Sequence, residues 1–257
     1  MSEKMCIRER AKNHILSLGM TISLPDPMMV EMAYRVGFDF VRIDAEHRLF
    51  GDRLLLEMLN TARLLDFPCQ IRVPNLGNAT ALLGHDAAGL VLPHCSSVKE
   101  ARAAVEICKY TPIGSRGMDG ACRRVKYNGM NRLEYMTWAN ENTDLIVQIE
   151  SRQGIEHLDE ILAIDGVDMI ATGRSDLSQE FGIPGQRDDP SVIEAEDYII
   201  RKTLEHGKVL SLSCNTLERA GELMEKGVYT LLIGKDEAIA MKAMEQLQNK
   251  YRKYLLG

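Results

Sequence analysis

The 257-residue sequence predicts an α/β fold, a (β/α)8 barrel of parallel strands wrapped by helices. Two patterns carry that prediction. Eight short apolar runs alternate with segments whose apolar residues recur three and four apart. Polar and ionisable residues then gather at the C-terminal ends of those runs, where a parallel barrel builds its ligand sites.

Taken in order, residues 3 to about 17 read as a charged amphipathic N-terminal helix, with Cys6, Ala11, Ile15 and Leu16 near helical spacing. The strand candidates are Thr21–Leu24, Phe38–Ile43, Gln70–Val73, Gly89–Leu92, Leu145–Ile149, Val167–Ala171, Lys208–Leu212 and Tyr229–Ile233. Helical spacing covers Pro27–Val36, Gly51–Leu65, Val98–Cys108, Ile155–Ile164, Ser191–Glu205, Thr216–Glu225 and Asp236–Tyr251. Gly37, Gly166, Gly207 and Gly227 each precede a strand, where a helix should end on a left-handed residue. A doubly wound open sheet is the alternative, but no Gly-x-Gly-x-x-Gly follows the first strand. The stretch from Thr111 to about Arg124, with Pro112, Gly114, Gly117 and Gly120, is the longest interruption and reads as a rim loop or lid. No repeat or internal boundary is visible, so residues 1–257 read as one domain, its terminal helices suited to oligomer contacts.

Composition narrows the function. A formal charge of −6 with interspersed signs gives no basic footprint for nucleic acid. The N-terminus lacks a signal-peptide pattern, and no apolar run approaches the roughly 18 residues of a membrane span, which predicts a cytoplasmic protein. The six cysteines show no Cys-x-x-Cys or zinc spacing and read as reduced, packed thiols.

The strand ends carry the chemistry. They present Asp44-Ala45-Glu46-His47, Arg72, Pro93-His94, Gln148 with Glu150, and Gly173-Arg174-Ser175-Asp176 on consecutive strands. Any one of these is explained by helix capping or a solvated rim; their convergence on one face is not. Glu150 and Asp176 place two hard oxygen ligands on neighbouring strands, a set suited to Mg²⁺ or Mn²⁺. Arg72 is a fixed planar cation for a carboxylate or enolate oxygen. His47 is the natural proton carrier, histidine being the side-chain type suited to acid–base work near neutral pH. A divalent metal, a cation and a base together fit enolate chemistry on a 2-oxo acid, aldol addition or cleavage being the simplest case.

Ile43-Asp44-Ala45-Glu46-His47, Arg72-Val73-Pro74, Arg116-Gly117, Gln148-Ile149-Glu150 and the run from Gly166 through Gly173-Arg174-Ser175-Asp176-Leu177-Ser178 resemble the HpcH/HpaI aldolase family over about residues 19–234. The resemblance implies a divalent metal (Mg²⁺, Mn²⁺ or Co²⁺) on Glu150 and Asp176 with Gln148 close by, Arg72 at the keto or enolate oxygen, and His47 as acid/base. It also implies a dyad between His47 and an aspartate matching Asp86. Asp86 precedes the fourth strand, at the opposite end of its own barrel, so the dyad requires a neighbouring subunit. A homo-oligomer, dimer-based and commonly hexameric, is implied.

Two departures bear on the substrate. Arg174 stands where the family usually has proline, and His94 follows Leu92-Pro93 where better-known aldolases carry an apolar residue. Both would suit a substrate bearing a second carboxylate, such as oxaloacetate; Gly173 and Ser175 are further substrate-binding candidates. The sequence is also similar to the citrate synthases of siderophore gene clusters, which condense oxaloacetate with acetyl-CoA. In such a citrate synthase His94 and Arg72 would position oxaloacetate and Arg124 would help bind it. An aldolase acting on pyruvate or oxaloacetate, a citrate synthase and a non-catalytic binding barrel are therefore the readings to separate.

Overall fold

The computed structural model describes residues 5–118, 125–126 and 129–256. Helix α1 (Ile7–Lys12) leads into β1 (Ser17–Ile22), followed by α2 (Pro27–Val36), β2 (Phe40–Asp44), α3 (Asp52–Leu64), β3 (Cys69–Arg72), α4 (Ala79–Gly84), β4 (Gly89–Leu92) and α5 (Val98–Cys108). Beyond α5 come α6 (Arg132–Asn142), β5 (Asp144–Ile149), α7 (Arg152–Glu156), α8 (Leu158–Leu162), β6 (Met169–Thr172), α9 (Arg174–Glu180) and α10 (Pro190–Glu205). The chain ends with β7 (Val209–Leu210), β8 (Leu212–Ser213), α11 (Leu217–Glu225), β9 (Thr230–Lys235) and α12 (Asp236–Leu256).

All strand pairs are parallel, in the order β7-β6-β5-β4-β3-β2-β1-β9-β8. The two ends of that order, β7 and β8, are halves of one extended run separated by Ser211. The first half pairs with β6 and the second with β9, so the run joins both edges and nearly closes the barrel. Nine strand segments thus make the eight strands expected.

The first unit corrects the sequence reading. The N-terminal helix is shorter than expected and β1 starts at Ser17, earlier than the anticipated Thr21. Leu18, Gly19 and Met20 look ambiguous because a strand buried on both faces has no alternation. After β1 the Asp26 side chain accepts from Met28 N and caps α2, with Pro27 in the first helical turn. The single segment expected at Ile155–Ile164 is two short helices broken at His157. Gly37, Gly166, Gly207 and Gly227 have φ of 95°, 91°, 67° and 92°, the left-handed values their positions called for.

Two apolar layers hold the barrel. Outside, Val41, Ile43, Ile71, Leu90, Leu145, Val147 and Ile170 pack against the helices. Inside, Phe40, Val91, Ile146, Met169 and Leu232 fill the lower half, closed from below by Ile7 and Ala11 of α1. Gly19 makes room there, because a Cβ on it would run into the Phe40 ring. The upper interior is polar, with Arg42, Gln70, Gln148 and Ser211 all buried. Along β2 the inward series is therefore Phe40, Arg42, Asp44, changing from core to site within one strand.

An ionic cluster seals the bottom. Arg8 pairs with Asp168 and lies 3.6 Å from Asp144, while Lys109 Nζ reaches Asp168 Oδ2 at 2.6 Å and donates to Thr143 O at 2.7 Å. Burial, with Asp168 beside it, pushes the Asp144 carboxyl up to about 7. In an unfolded chain it would titrate near about 4. The folded state then holds the extra proton between those values, so this group's contribution to stability declines as pH rises through that window. Asp144→Asn should gain on the parent protein by up to about 1.4 kcal/mol per pH unit between about pH 5 and 7. Urea unfolding at a series of pH values checks this; a gap independent of pH would show that Asp144 is ionised throughout.

Candidate active site

β2, β3 and β4 deliver one half of the site. Asp44 ends β2 in register with Arg72, the end of β3. Arg72 donates from Nε to Asp44 Oδ1 at 3.1 Å, its Nη2 lies 2.8 Å from Asp44 Oδ2, and its Nε is 3.1 Å from Glu46 Oε2. Its Nη2 is also 2.9 Å from His47 Nδ1. Burial works to raise the Asp44 pKa, but the Arg72 fork and the His47 backbone N–H outweigh it and hold the carboxyl below its ordinary range. Burial likewise works against the Arg72 cation, yet Asp44 and Glu46 raise its pKa on balance. The His47 ring is 53% exposed, so the remainder of this tightly paired group ends in an accessible imidazole.

β4, β5 and β6 deliver the other half. Glu150 follows β5; its Oε1 accepts from His94 N at 2.8 Å and its Oε2 from Gln148 Nε2 at 2.5 Å. His94 adopts φ 54° after β4 and sets Nδ1 2.9 Å from Glu150 Oε1 and Nε2 2.6 Å from Glu46 Oε1. Gly173 precedes α9. A Cβ there would collide with Glu150 Oε2 and come within 3.2 Å of Asp176 Oδ2, so only glycine lets both carboxylates converge at this point. Burial and the neighbouring Asp176 push the Glu150 pKa up, against the hydrogen bonds from Gln148 and His94.

Two groups could hold a cation. Asp44, Glu46 and His47 offer ligand atoms within 4.8 Å of one another. Their negative charge is already met by Arg72, whose guanidinium lies among them. Glu150 and Asp176 pair with no lysine or arginine among the described residues, and their mutual repulsion marks a charge deficit that a divalent ion corrects. The second pair therefore fits a divalent metal better than the first.

Both halves face a cavity of about 320 Å³ walled by Asp44, Arg72, Gln148, Gly173, Arg174, Ser175 and Asp176. Arg174 lines it, but its Nε is 2.8 Å from Glu196 Oε2 and its Nη1 3.0 Å from Asp188 Oδ1, so its charge is taken within the chain. His94 is likewise engaged by two carboxylates. Asp86, with φ 67°, sits before β4 in a separate hollow at the N-terminal ends of the strands, with Asp66, Phe67 and Trp138. Its own barrel does not bring it to His47. The segment expected as a rim loop starts at the other end of the barrel: Arg116 N donates to Lys109 O and Ser115 N to Glu106 O beside the last turn of α5, below the strands. Residues 119–124, Arg124 among them, lie outside the described residues.

Arg42 is the residue sequence reasoning missed. It reads as a member of an apolar strand, yet it faces inward beneath Asp44 and lines the cavity. Its Nη2 donates to Gln70 Oε1 at 2.9 Å and to Ser211 Oγ at 2.7 Å. Burial and the nearby Arg72 push its pKa down to about 9, which leaves it cationic at neutral pH. The period of two along β2, which puts residue 42 on the face of residue 44, is the signal that would have found it.

No helix of the described residues is long and apolar enough to cross a membrane. Residues 18–243 match the family model described as HpcH/HpaI aldolase/citrate lyase. A hydroxypyruvate/pyruvate aldolase of Pseudomonas aeruginosa is 29% identical, the match covering 95% of this chain and 92% of that protein. A 4-hydroxy-2-oxo-heptane-1,7-dioate aldolase of Escherichia coli is also 29% identical, over 91% of this chain and 90% of its own. Among solved structures, the citrate synthase SbnG superposes with a TM-score of 0.90 at 26% identity, covering 98% of this chain and 99% of that one. The barrel and the family match over most of its length agree: this chain belongs to the HpcH/HpaI aldolase/citrate lyase family, a family of carbon–carbon lyases.

Proposed function

We propose that this aldolase-family barrel makes and breaks a carbon–carbon bond next to the keto group of a 2-oxo acid, pyruvate or oxaloacetate, with an aldehyde as the second reactant. The observation that carries the reading is the separation of charge in one cavity. Two carboxylates that pair with no lysine or arginine among the described residues, Glu150 and Asp176, converge beside Gly173, and the same site holds a cation, Arg72, fixed by Asp44 and Glu46.

Glu150 and Asp176 would hold Mg²⁺, Mn²⁺ or Co²⁺, and that ion supplies Lewis acidity toward the 2-oxo acid. Arg72 steadies the oxygen on which enolate charge develops, a role that suits a guanidinium held in place before substrate arrives. His47 takes and returns the proton, its ring oriented by Arg72 at Nδ1 and more than half exposed. Gln148 orients Glu150, and Ser175 with Gly173 opens α9 beside the carboxylate pair. Asp86 reaches a His47 only if supplied by another copy of the chain. The exposed Met241, Met244, Leu247 and Tyr251 of α12 support a homo-oligomer, which the family resemblance implies to be dimer-based and commonly hexameric. Free cysteines throughout the described residues fit a reducing, cytoplasmic setting. Citrate formation from oxaloacetate and acetyl-CoA is the second reading, favoured by the close superposition on SbnG. It asks His94 to contact substrate, whereas both ring nitrogens of His94 lie against carboxylates, so the aldol reading is preferred.

Three outcomes test this. Purified protein should release pyruvate from 4-hydroxy-2-oxo acids in an EDTA-sensitive reaction that Glu150→Gln abolishes; turnover unchanged by that substitution removes the metal role. Gly173→Ala should lower kcat by about 100-fold by displacing Glu150 and Asp176, the scale of an ångström-sized misplacement. His47→Asn should lower kcat by about 100-fold or more while leaving divalent-ion affinity in place, measured by calorimetry beside steady-state kinetics.

A further inference from the structure

The site cavity does not stop at the strand ends. It continues toward the barrel axis to Arg42, two residues before Asp44 and on the same inward face, about 6–7 Å deeper at strand rise. Arg42 is only 5% exposed and has no carboxylate partner among the described residues. Its Nε and Nη2 are used by Gln70 and Ser211, whereas Nη1 donates to no described residue and is not sealed off from solvent space. Asp44 attracts this cation, but that carboxylate is paired with Arg72, so the burial of Arg42 is only partly offset and an entering anion would relieve it. Other basic residues on the cavity do not fill that role. Arg72 and Arg174 are paired internally, and Arg187 is exposed. Lys235 is half-buried and offers a point charge, not a planar fork.

We propose that Arg42 Nη1 forms an inner anion subsite that receives the second carboxylate of a 2-oxo dicarboxylate, making the chain selective for that class over monocarboxylates. The carboxylate accepts from Nη1, while Gln70 and Ser211 hold the guanidinium plane in place. The subsite rests on the reading of the Arg72–Asp176 region as a 2-oxo acid site, and it moves the second-carboxylate role from Arg174 and His94 to Arg42.

The test compares oxaloacetate with 2-oxobutyrate, which carries a methyl where oxaloacetate has its second carboxylate. Apparent dissociation constants come from thermal shifts with Mg²⁺ present. The unmodified protein should favour oxaloacetate by roughly 10- to 100-fold, the range of a charge-assisted hydrogen bond. Arg42→Met should erase that preference, and Arg42→Lys should restore part of it. No preference in the unmodified protein, or an undiminished one in Arg42→Met, overturns the subsite. Should Arg42→Met not fold, a crystal soaked with oxaloacetate decides: a carboxylate within hydrogen-bond distance of Nη1 supports the subsite, and one placed elsewhere overturns it. Lyase turnover is scored separately. An Arg42-dependent preference without turnover keeps the subsite and sinks the enolate chemistry, while turnover without preference does the reverse.

Discussion

The ion pair between Asp44 and Arg72 is the constraint on which the site is built. Both residues end their strands in register, so the backbone ladder of β2 and β3 fixes the distance between them before any side chain chooses a rotamer. The Arg72 fork then fills both oxygens of Asp44 and reaches Glu46 and His47 as well. A guanidinium held this way can face substrate without reorganising, which is what makes a fixed cation effective at a developing oxyanion. It also lowers the claim of that acidic cluster on a metal, since carboxylates that already enclose an arginine have little charge left to offer.

Opposite it, the second pair is assembled by different means. Glu150 is gripped by the His94 backbone and by Gln148, and Asp176 arrives from the first turn of α9. The missing side chain at Gly173 is what lets them meet. His94 ties the two halves together, with Glu46 on one ring nitrogen and Glu150 on the other. Reading His94 and Arg174 as substrate contacts follows naturally from their positions at the rim, but the structure gives both of them partners within the chain.

What was legible in the sequence follows from this division of labour. Strand alternation, helix-ending glycines and the polar strand ends are local patterns, and the barrel follows from them. The bounds of α2, β4 and α5 coincide with the apolar spacing because each is flanked by a turn residue or a capping box. β1 was misplaced because it is buried on both faces and carries Gly19, whose emptiness answers the Phe40 ring on the neighbouring strand β2. The split of the seventh strand at Ser211 is a property of closure, since its halves pair with different neighbours, and no local pattern encodes that. Glu150, Asp176, Arg72 and His47 stood out as ionisable residues at strand ends, whereas the pairing that engages Arg174 depends on Glu196, twenty-two residues away on α10.

Arg42 shows where such reading fails and why. A charged residue between Val41 and Ile43 looks like an interruption of a buried strand, to be discounted against its neighbours. In a barrel the alternate residues of one strand serve two interiors. Val41 and Ile43 pack outward against the helices, while Phe40, Arg42 and Asp44 climb inward from core to site. A polar layer halfway up that ladder has no packing reason to exist: an apolar side chain of similar volume would spare the desolvation of a guanidinium at no loss of closure. Gln70 and Ser211 orient the Arg42 guanidinium, yet neither neutralises it. The charge is therefore best understood as directed at whatever enters the cavity from above, and the depth of the binding site is set by the residue that interrupts the apolar run.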